Sequence, residues 1–324
     1  MAIQTTTLAP GVDLVKNAKV AWKKGFDSVP VAARRVFSVI HSQTKTSEHS
    51  AIDYSPIASA TGEGVDYAQS SPTQADTLNL TQGKVTSSFE VTQDMLKFDK
   101  YNMIRPLTGL TGLGRACPER MELDLQLFLM SMGFGTSYTD ADGRSVATTG
   151  ADGLAIYSSV HTINGTSATY DNLQAVAFGQ TGLEAAEDLF RGFIDHQAHI
   201  IYVVPDTIIT TSKAALVNLV REYNKSMGHV ADANRGVNMY QGRYDHIVFH
   251  KGDFTAASAR DSTKDDYWLL ASLANNQHAV LEITGEPTLH DAGEVQRNRN
   301  RLFLTDCYYA YGMLGAQWIV GNNV

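Results

Sequence analysis

The chain has 324 residues, of which 43% are apolar and 19% are charged, and its formal net charge is −8. This composition suits a packed core and argues against wholesale disorder. No stretch reaches the roughly 18 consecutive apolar residues of a membrane-spanning helix, and the N-terminal residues lack a basic region followed by an apolar run, so we expect no secretory signal. Two cysteines, Cys117 and Cys307, are too few for a disulfide framework or a zinc site, and they fit a reducing compartment.

The N-terminal segment differs in charge from the rest of the chain. Residues 1–50 carry seven Lys or Arg against three Asp or Glu, a balance of +4, whereas residues 51–324 carry 19 against 31, a balance of −12. An acidic body with a basic N-terminal segment indicates an arm with an acidic or polyanionic partner. Ordinary solvated lysines on a surface helix explain the same asymmetry, and the sequence leaves both interpretations open.

The periodicity of this segment predicts an amphipathic helix. In "VDLVKNAKVAWKKGF" one side carries four apolar residues close to a 3.6-residue period, namely Leu14, Ala18, Trp22 and Phe26. Pro30 interrupts the pattern, and we expect the helix to resume in "PVAARRVFSVI". The apolar stripe requires a protein surface to cover it. The residues expected to make the contacts of the arm are Trp22, Lys23, Lys24, Arg34 and Arg35.

Residues 51–95 change in character and predict a long hairpin. They are rich in Ser, Thr, Gly, Asp and Gln, and their second half alternates between apolar and polar residues, as strands do. The segment "TGEGVD" predicts a turn at the tip. With too few large side chains for a core of its own, a two-stranded hairpin is marginal alone and normally lies on something else. The apolar residues that we expect at a subunit interface are Tyr54, Ile57, Tyr67, Leu78, Leu80, Val85 and Phe89.

The strongest helical block spans residues 102–133. Leucines recur at positions 107, 110 and 113 and are followed by the apolar run "PERMELDLQLFLMSMGF". Pro118 is expected to start or kink a helix, and Gly133 to end it. The glycines of "GLTGLGRA" match neither a dinucleotide-binding loop nor a P-loop, and we interpret them as sites of close helix packing.

Beyond residue 136 the pattern predicts an α+β fold. Turn-rich residues 136–172 precede a helix in "TGLEAAEDLFRGFIDHQ", where Thr181 and Glu184 match a capping box. The run "HIIYVV" predicts a buried strand that ends at Pro205, and "TSKAALVNLVREYNKSMG" predicts another helix. Further strands are predicted in "HIVFH", "YWLLAS", "AVLEIT" and "RLFLTDCYYAYGML". Helices and antiparallel strands in this order are typical of the α+β class.

Residues 153–172 contain the ingredients of a serine nucleophile. Ser158 and Ser159 precede His161, and Asp171 follows. A hydrolase serine commonly lies at a sharp strand-to-helix turn such as G-x-S-x-G, and the flanks "AIYSSVHT" lack that turn. We therefore expect no catalytic residue in this stretch.

Two pairs of histidines and a group of three arginines are weak candidates for metal binding and for intermolecular contacts. His196 with His199, and His246 with His250, lack the third ligand that a zinc site requires, so we expect no metal and no cofactor. In "QRNRNR", alternate arginines share one strand face, and we expect them to form ion pairs at an interface. A nucleic-acid contact is the alternative. These arginines are Arg297, Arg299 and Arg301.

The order of these segments resembles the major capsid proteins of tailed bacteriophages, which have the Hong Kong 97-like fold. Four stretches carry the resemblance, which extends over nearly the whole chain from about residue 10. They are the hairpin within "EHSAIDYSPIASATGEGVDYAQSSPTQADTLNLTQGKVTSSFEVTQDMLKFDKY", the helix of "LTGLTGLGRACPERMELDLQLFLMSMGF", the stretch "DGLAIYSSVHTINGTSATYDNL", and "YVVPDTIITTSKAALVNLV".

The resemblance implies an architecture for the whole chain. The expected parts are an N-terminal arm over 1–50, an extended hairpin (E-loop) over 51–95, a peripheral domain over 96–150 and 275–312 with a spine helix over about 103–133, and an axial domain over 151–274 and 313–324. In that architecture "DGLAIYSSVH" is a structural hairpin, and His161 and Asp171 satisfy backbone groups of turns. Only some 45 residues precede the hairpin, so we expect a separate scaffolding protein and no fused one.

The same resemblance implies a function. It is that of a major capsid protein of a tailed double-stranded DNA bacteriophage or prophage, which self-assembles as pentamers and hexamers into an icosahedral shell around the genome. The implied location is the virion, after assembly in the host bacterial cytoplasm. The implied partners are other copies of the chain, a separate scaffolding protein and a portal, and a decoration protein is also possible. The shell would enclose double-stranded DNA without sequence-specific recognition. No contact with a membrane is implied.

Two other functions stay open from the sequence. An encapsulin-like nanocompartment shell protein would enclose a protein cargo instead of DNA. A serine hydrolase would use Ser158 or Ser159 with His161.

Overall fold

The computed structural model describes residues 10–53, 60–64, 66, 73–92, 94, 98, 108–163, 167–195, 198–228, 237–256, 259–276, 278–294 and 300–324. The helices are α1 (Pro10–Asp27), α2 (Thr108–Gln126), α3 (Gln180–Phe190) and α4 (Ala214–Lys225). None of the helices in these ranges has the length and hydropathy that crossing a membrane requires.

Short strands alternate with these helices along the chain. They are β1 (Ser38–His41), β2 (Thr46–Asp53), β3 (Thr73–Thr81), β4 (Gly83–Val91), β5 (Ser137–Thr139), β6 (Ser145–Ala147), β7 (His161–Thr162), β8 (Thr169–Tyr170), β9 (Leu173–Gln174), β10 (Thr207–Thr211), β11 (Asp245–Phe249), β12 (Trp268–Ala271), β13 (Ala279–Ile283), β14 (Thr288–Glu294), β15 (Arg301–Met313) and β16 (Ile319–Asn322).

The long strand β15 organises the first five-stranded sheet. Strands β13 and β14 pair antiparallel with its two halves, and β4 pairs antiparallel with residues 301–309. Strand β1 extends the sheet parallel to β13. Side chains alternate along a strand, so Phe303, Thr305, Cys307 and Tyr309 all point to the same, buried face of β15.

Helix α2 runs along that buried face. Leu110 and Leu113 share a cluster with Phe303, and about three turns further the carboxylate of Asp124 accepts a hydrogen bond from the Tyr309 hydroxyl at 2.6 Å. The helix continues as a π-helical turn over Leu127–Ser131 and ends before Gly133, as predicted. Pro118 lies inside α2 and does not start it, because the ends of the helix are fixed by packing on β15 and not by the proline.

Helix α1 packs on α2 through glycines. A Cβ atom on Gly114 would lie 2.0 Å from the Trp22 carbonyl oxygen, and one on Gly25 would lie 2.0 Å from the Thr111 carbonyl oxygen. Only glycine allows backbones to approach so closely. The prediction that "GLTGLGRA" marks close helix packing is therefore confirmed at Gly114, whereas a Cβ on Gly112 would meet nothing within 4 Å.

Part of the predicted N-terminal arm over residues 1–50 packs into the main core, and the division of the chain into an arm and domains stays a prediction. Ala33, Val36 and Phe37 are buried in the main core. The buried carboxylate of Glu122 accepts hydrogen bonds from the backbone N–H groups of Ala32 and Ala33 at 3.2 and 2.9 Å. The expected second helix after Pro30 is one 3-10 turn followed by β1, because pairing with β13 uses the apolar residues of this segment in strand form.

The hairpin consists of β2 and β3, and its base is fixed to the body. Glu282 on β13 is 1% exposed and accepts a hydrogen bond from the Ser47 hydroxyl at 2.8 Å, and its other oxygen lies 2.9 Å from His49 Nε2. The first strand begins at residue 46, before the predicted boundary at 51, and β4 belongs to the large sheet and not to the hairpin. The segment between β2 and β3 lies largely outside the described residues.

The second five-stranded sheet has the strand order β11–β10–β12–β16–β9. Strands β10 and β12 are buried at every position. Helix α3 precedes β10 along the chain, and helix α4 follows it. The predicted strand "HIIYVV" is wrong, since the buried strand begins two residues after Pro205 at Thr207. The predicted capping box is also wrong, because Gly179 is the N-cap and Thr181 lies inside α3.

One hydrophobic core joins the two sheets. Leu281 of the first sheet, Leu270 of the second and Phe128 of the π-helical turn belong to the same buried cluster. The mixture of helices with one mostly antiparallel sheet and one mixed sheet confirms the predicted α+β class.

Candidate functional site

His161 lies in a closed cluster and is not solvent-accessible. The ring is 1% exposed and stacks on Tyr170 with a centroid separation of 4.9 Å. Its Nδ1 lies 2.6 Å from Asp152 Oδ2, and its Nε2 lies 3.2 Å from the Ile156 carbonyl oxygen and 3.1 Å from Asn172 Oδ1. Both ring nitrogens thus face oxygen atoms of neighbouring groups.

Asn172 connects this cluster to the second sheet. The side chain is fully buried. Its Oδ1 accepts a hydrogen bond from the Ser158 N–H at 2.9 Å, and its Nδ2 donates to the carbonyl oxygens of Ile156 at 2.9 Å and Ile319 at 3.2 Å. Because Ile319 begins β16, the loop that carries His161 is fastened to the sheet through one amide group.

The geometry does not form a catalytic triad. The partner of His161 is Asp152 and not Asp171, which caps a turn by accepting from the Leu173 N–H at 2.8 Å. The Ser158 hydroxyl accepts from the Val160 N–H at 3.2 Å, and Ser159 is exposed. A triad needs its base nitrogen on the serine hydroxyl, and here that nitrogen faces Asn172 and a carbonyl. The expectation that His161 and Asp171 satisfy turn groups is confirmed.

Sequence reasoning missed Asp152 and Asn172 as the partners of His161. Both lie within the quoted stretch "DGLAIYSSVHTINGTSATYDNL". The sequence does show Asp, His and Asn residues close together in this segment. Which of the several polar residues contact His161 depends on the path of the loop, and the sequence does not show that path.

The other histidines that the structure describes do not group as metal ligands. His199 Nδ1 lies 3.6 Å from Asp195 Oδ2, His246 and His250 lie at the two ends of β11, and His196 is outside the described residues. Among the residues that the structure describes, no group of three or more His, Cys, Asp or Glu side chains could hold a metal ion.

The stability of the chain should depend on pH through His246. Burial, reinforced by the charge of Arg221, lowers the pKa of His246 to about 4, and its Nε2 lies 2.9 Å from the Thr210 hydroxyl oxygen. Between pH 4 and 6.5 the unfolded chain binds the proton and the folded chain does not, so the free energy of unfolding rises with pH in that window. Because the ring is partly solvated, we expect the free energy of unfolding to rise by about 1–2 kcal/mol across this window.

Denaturant titrations at pH 4.5 and 7 test the role of His246. They should show this difference in the free energy of unfolding for the wild type, and a smaller difference for His246→Gln. An equal pH dependence of the two proteins would contradict the assignment.

Arginines and carboxylates tie α2 to the turn between β5 and β6. Arg120 donates to Asp124 and to the buried Asp140, each at 2.9 Å, and Arg144 donates to Asp140 at 2.8 Å. Burial raises the pKa of Asp124 despite the hydrogen bonds from Tyr309 and Arg120. Burial acts in the same sense on Asp140, but the hydrogen bonds from Arg144 outweigh it and lower the pKa. Each carboxylate is satisfied by neighbouring donors, which is typical of a structural network.

The predicted interface residues are largely covered by their own chain. Leu80 is 5% exposed and packs with Val280 and Ala310, and Leu78 lies against this cluster. Val85 and Phe89 lie in β4 and pack on the body. Residues 78–91 therefore lie against their own chain, and a role of these four residues at a subunit interface stays a prediction. Tyr54, Ile57 and Tyr67 lie outside the described residues.

The residues of the predicted charged contacts lie in different settings within the single chain. Arg301 pairs with Asp291 of the same chain, with Nε donating at 3.2 Å, and an ion pair of Arg301 at an interface stays a prediction. Arg297 and Arg299 are outside the described residues. Trp22 stacks on Phe26 at 5.5 Å against α2, and Arg34 lies 3.8 Å from Glu286, whereas Lys23, Lys24 and Arg35 are exposed.

A different apolar surface is exposed after α3. Ile200, Tyr202 and Val204 are 76%, 91% and 45% exposed, whereas Ile201 and Val203 between them pack on the core. This alternation is that of a strand, yet within the described residues the segment belongs to no sheet. We call residues 200–204 the exposed apolar segment. A second apolar group, Met227, Val237 and Met239, lies beyond the end of α4 and is 77–81% exposed.

Comparison with solved structures places this architecture among capsid shells. No protein-family model and no curated protein matches the sequence. The capsid protein of cyanophage P-SCSP1u superposes with a TM-score of 0.55 at 9% identity, over 89% of this chain and 86% of that one. The chain has the Hong Kong 97-like capsid fold.

Two capsid structures of a GTA particle support the same fold. The capsid of the native particle superposes with a TM-score of 0.54 at 10% identity, over 100% of this chain and 96% of that one. The capsid of the empty particle gives 0.51 at 12% identity, over 95% and 99%. The predicted fold is confirmed over nearly the whole chain.

Proposed function

We propose that this chain is the major capsid protein of a tailed double-stranded DNA phage or prophage. The carrying observation is a fold that matches capsid subunits over nearly the full length of both chains. Its work is geometric, since contacts between identical chains that close into rings tile a shell. In this proposal pentamers and hexamers form in the host bacterial cytoplasm with a scaffolding protein and a portal, with a decoration protein as an optional addition.

The two sheets fit the two domains of such a subunit. The sheet around β15 with α2 as the spine helix is the proposed peripheral domain, and the sheet of β9, β10, β11, β12 and β16 is the proposed axial domain. The −12 balance of residues 51–324 favours weak attraction to the enclosed DNA, without base readout.

Electron microscopy of the purified full-length protein tests this function. We expect rings, shells or sheets, with nucleic acid in particles made in an infected or induced host. Particles that hold protein and no nucleic acid would favour the nanocompartment. We expect no hydrolase activity, because His161 Nε2 is occupied by Asn172 and Ile156. A serine-directed covalent probe that labels Ser158 or Ser159 would contradict that expectation.

The exposed apolar segment is the surface that we propose for contacts between copies within a ring. The sequence of residues 199–204 is that of a buried strand, but the single chain leaves Tyr202 91% exposed. Burial of one large apolar side chain is worth about 1.5–3 kcal/mol, and a closed ring repeats the contact at every subunit.

We expect the double variant Ile200→Asp with Tyr202→Asp to remain folded and to lose assembly. Both side chains are exposed, so the melting temperature of the subunit should change little, while sedimentation should show monomers. The matched control, Ile200→Val with Tyr202→Phe, keeps the apolar surface and should assemble like the wild type. Normal shells from the double aspartate variant would exclude this segment as a subunit contact.

A further inference from the structure

The two cysteines of the chain meet in the folded protein. Cys117 lies on α2 and Cys307 lies on β15, 190 positions apart in sequence. Cys117 Sγ lies 3.8 Å from the Thr305 hydroxyl oxygen. Thr305 and Cys307 are two positions apart on β15, so both point toward α2. Both thiols are buried, with 1% and 3% exposure.

The thiols also interact directly. The hydrogen bond between them lowers the pKa of Cys117, against the effect of burial, and the same contact together with burial raises the pKa of Cys307. Both cysteines belong to the same buried cluster, and a disulfide can form where the Cα atoms of two cysteines lie within about 7 Å.

We propose that Cys117 and Cys307 are a redox modification site that forms an intramolecular disulfide between the spine helix and β15 under oxidising conditions. This inference concerns the folded chain alone and does not depend on the proposed function. The oxidant is a low-molecular-weight disulfide of the glutathione type. In a reducing compartment the pair stays as two thiols.

The exchange proceeds in two balanced steps. The Cys117 thiol loses its proton and attacks one sulfur of the oxidant, which releases one thiolate and leaves a mixed disulfide on Cys117. The Cys307 thiol then loses its proton, and its sulfur attacks the Cys117 sulfur and expels the second thiolate. The protein loses two electrons and two protons, and the oxidant is reduced to two thiols. Because both thiols are buried, the first step requires a local opening of the α2–β15 contact.

The consequence is a covalent link across the contact between α2 and β15. A disulfide that closes a long loop stabilises mainly by restricting the unfolded chain. For a loop of this length we expect a rise in melting temperature of about 5–10 °C. Reduction should reverse the rise.

The test uses the full-length protein incubated with oxidised glutathione and then unfolded in the presence of an alkylating agent. In the wild type we expect no alkylated cysteine, a mass lower by two hydrogen atoms, and a raised melting temperature. Cys117→Ser and Cys307→Ser serve as matched controls, and each should keep its remaining thiol or carry one glutathione. A peptide linked through Cys117 and Cys307 in a non-reduced digest identifies the bond.

Three outcomes would overturn the proposal. They are two alkylated cysteines in the oxidised wild type, two separately glutathionylated cysteines, and a disulfide-linked dimer on a non-reducing gel. The mass measurement needs only the wild type, so it decides the question even if a serine variant fails to fold.

Discussion

Replacement of Asn172 by alanine should lower the free energy of unfolding by about 3–5 kcal/mol. The side chain is fully buried, and its amide satisfies the Ser158 N–H and the carbonyl oxygens of Ile156 and Ile319. Each buried polar group left without a partner costs about 1–3 kcal/mol, and Asn172→Ala leaves several at once. The measurement is chemical denaturation followed by circular dichroism.

Two further variants separate hydrogen bonding from volume. Asn172→Asp keeps the volume but directs a carboxylate oxygen at two carbonyl oxygens, so it should destabilise at least as much as alanine. The neighbouring change Asp171→Asn keeps the oxygen that accepts from the Leu173 N–H, and it should change stability by no more than about 0.5 kcal/mol. A loss below about 1 kcal/mol for Asn172→Ala would show that the amide does not hold the loop on the second sheet.

Replacement of Gly114 by alanine should cost about 2–4 kcal/mol. The new Cβ would lie 2.0 Å from the Trp22 carbonyl oxygen and 3.1 Å from the Phe26 nitrogen. These are backbone atoms of α1, so relief requires the two helices to separate, and overpacking of this kind costs about 1–3 kcal/mol or more. Urea denaturation should show the loss, and Trp22 fluorescence should report the displacement of α1.

Gly112 provides a control on the same helix. A Cβ at this position meets nothing within 4 Å, and alanine is favoured over glycine in a helix by about 1 kcal/mol. Gly112→Ala should therefore leave stability unchanged or raise it. If Gly112→Ala and Gly114→Ala lowered the free energy of unfolding equally, the close approach of α1 to α2 would not be the reason for glycine at position 114.

Periodic segments were predictable because their pattern is local. The helices over Pro10–Asp27, Thr108–Gln126 and Ala214–Lys225, and the strand over Arg301–Met313, follow from apolar spacing. The predicted α+β class and the Hong Kong 97-like fold depended on the order of such segments, and both are confirmed. Boundaries such as the start of α3 at Gln180 were missed, because packing selects among nearby caps.

For the hairpin and the segment after α3, the local pattern did not predict which surface covers the apolar residues. Alternation in residues 78–91 correctly predicted strands, but it did not reveal that β4 pairs with β15 and that Leu80 is covered by Val280 and Ala310. The apolar run of residues 199–204 predicted a buried strand, and the single chain covers Ile201 and Val203 but leaves Ile200, Tyr202 and Val204 exposed. An alternating pattern records that one face is apolar and does not identify the surface that covers it.

The sequence by itself determined the local elements, the close helix contact at "GLTGLGRA", the absence of a serine-hydrolase turn motif around Ser158, and the order of segments that carries the capsid resemblance. The tertiary structure decided which distant residues meet. It joined His161 to Asp152 and Asn172, Glu282 to Ser47 and His49, and Cys117 to Cys307. Hydrophobic periodicity depends on neighbours along the chain, whereas buried polar pairs depend on strand register and loop path across the whole chain.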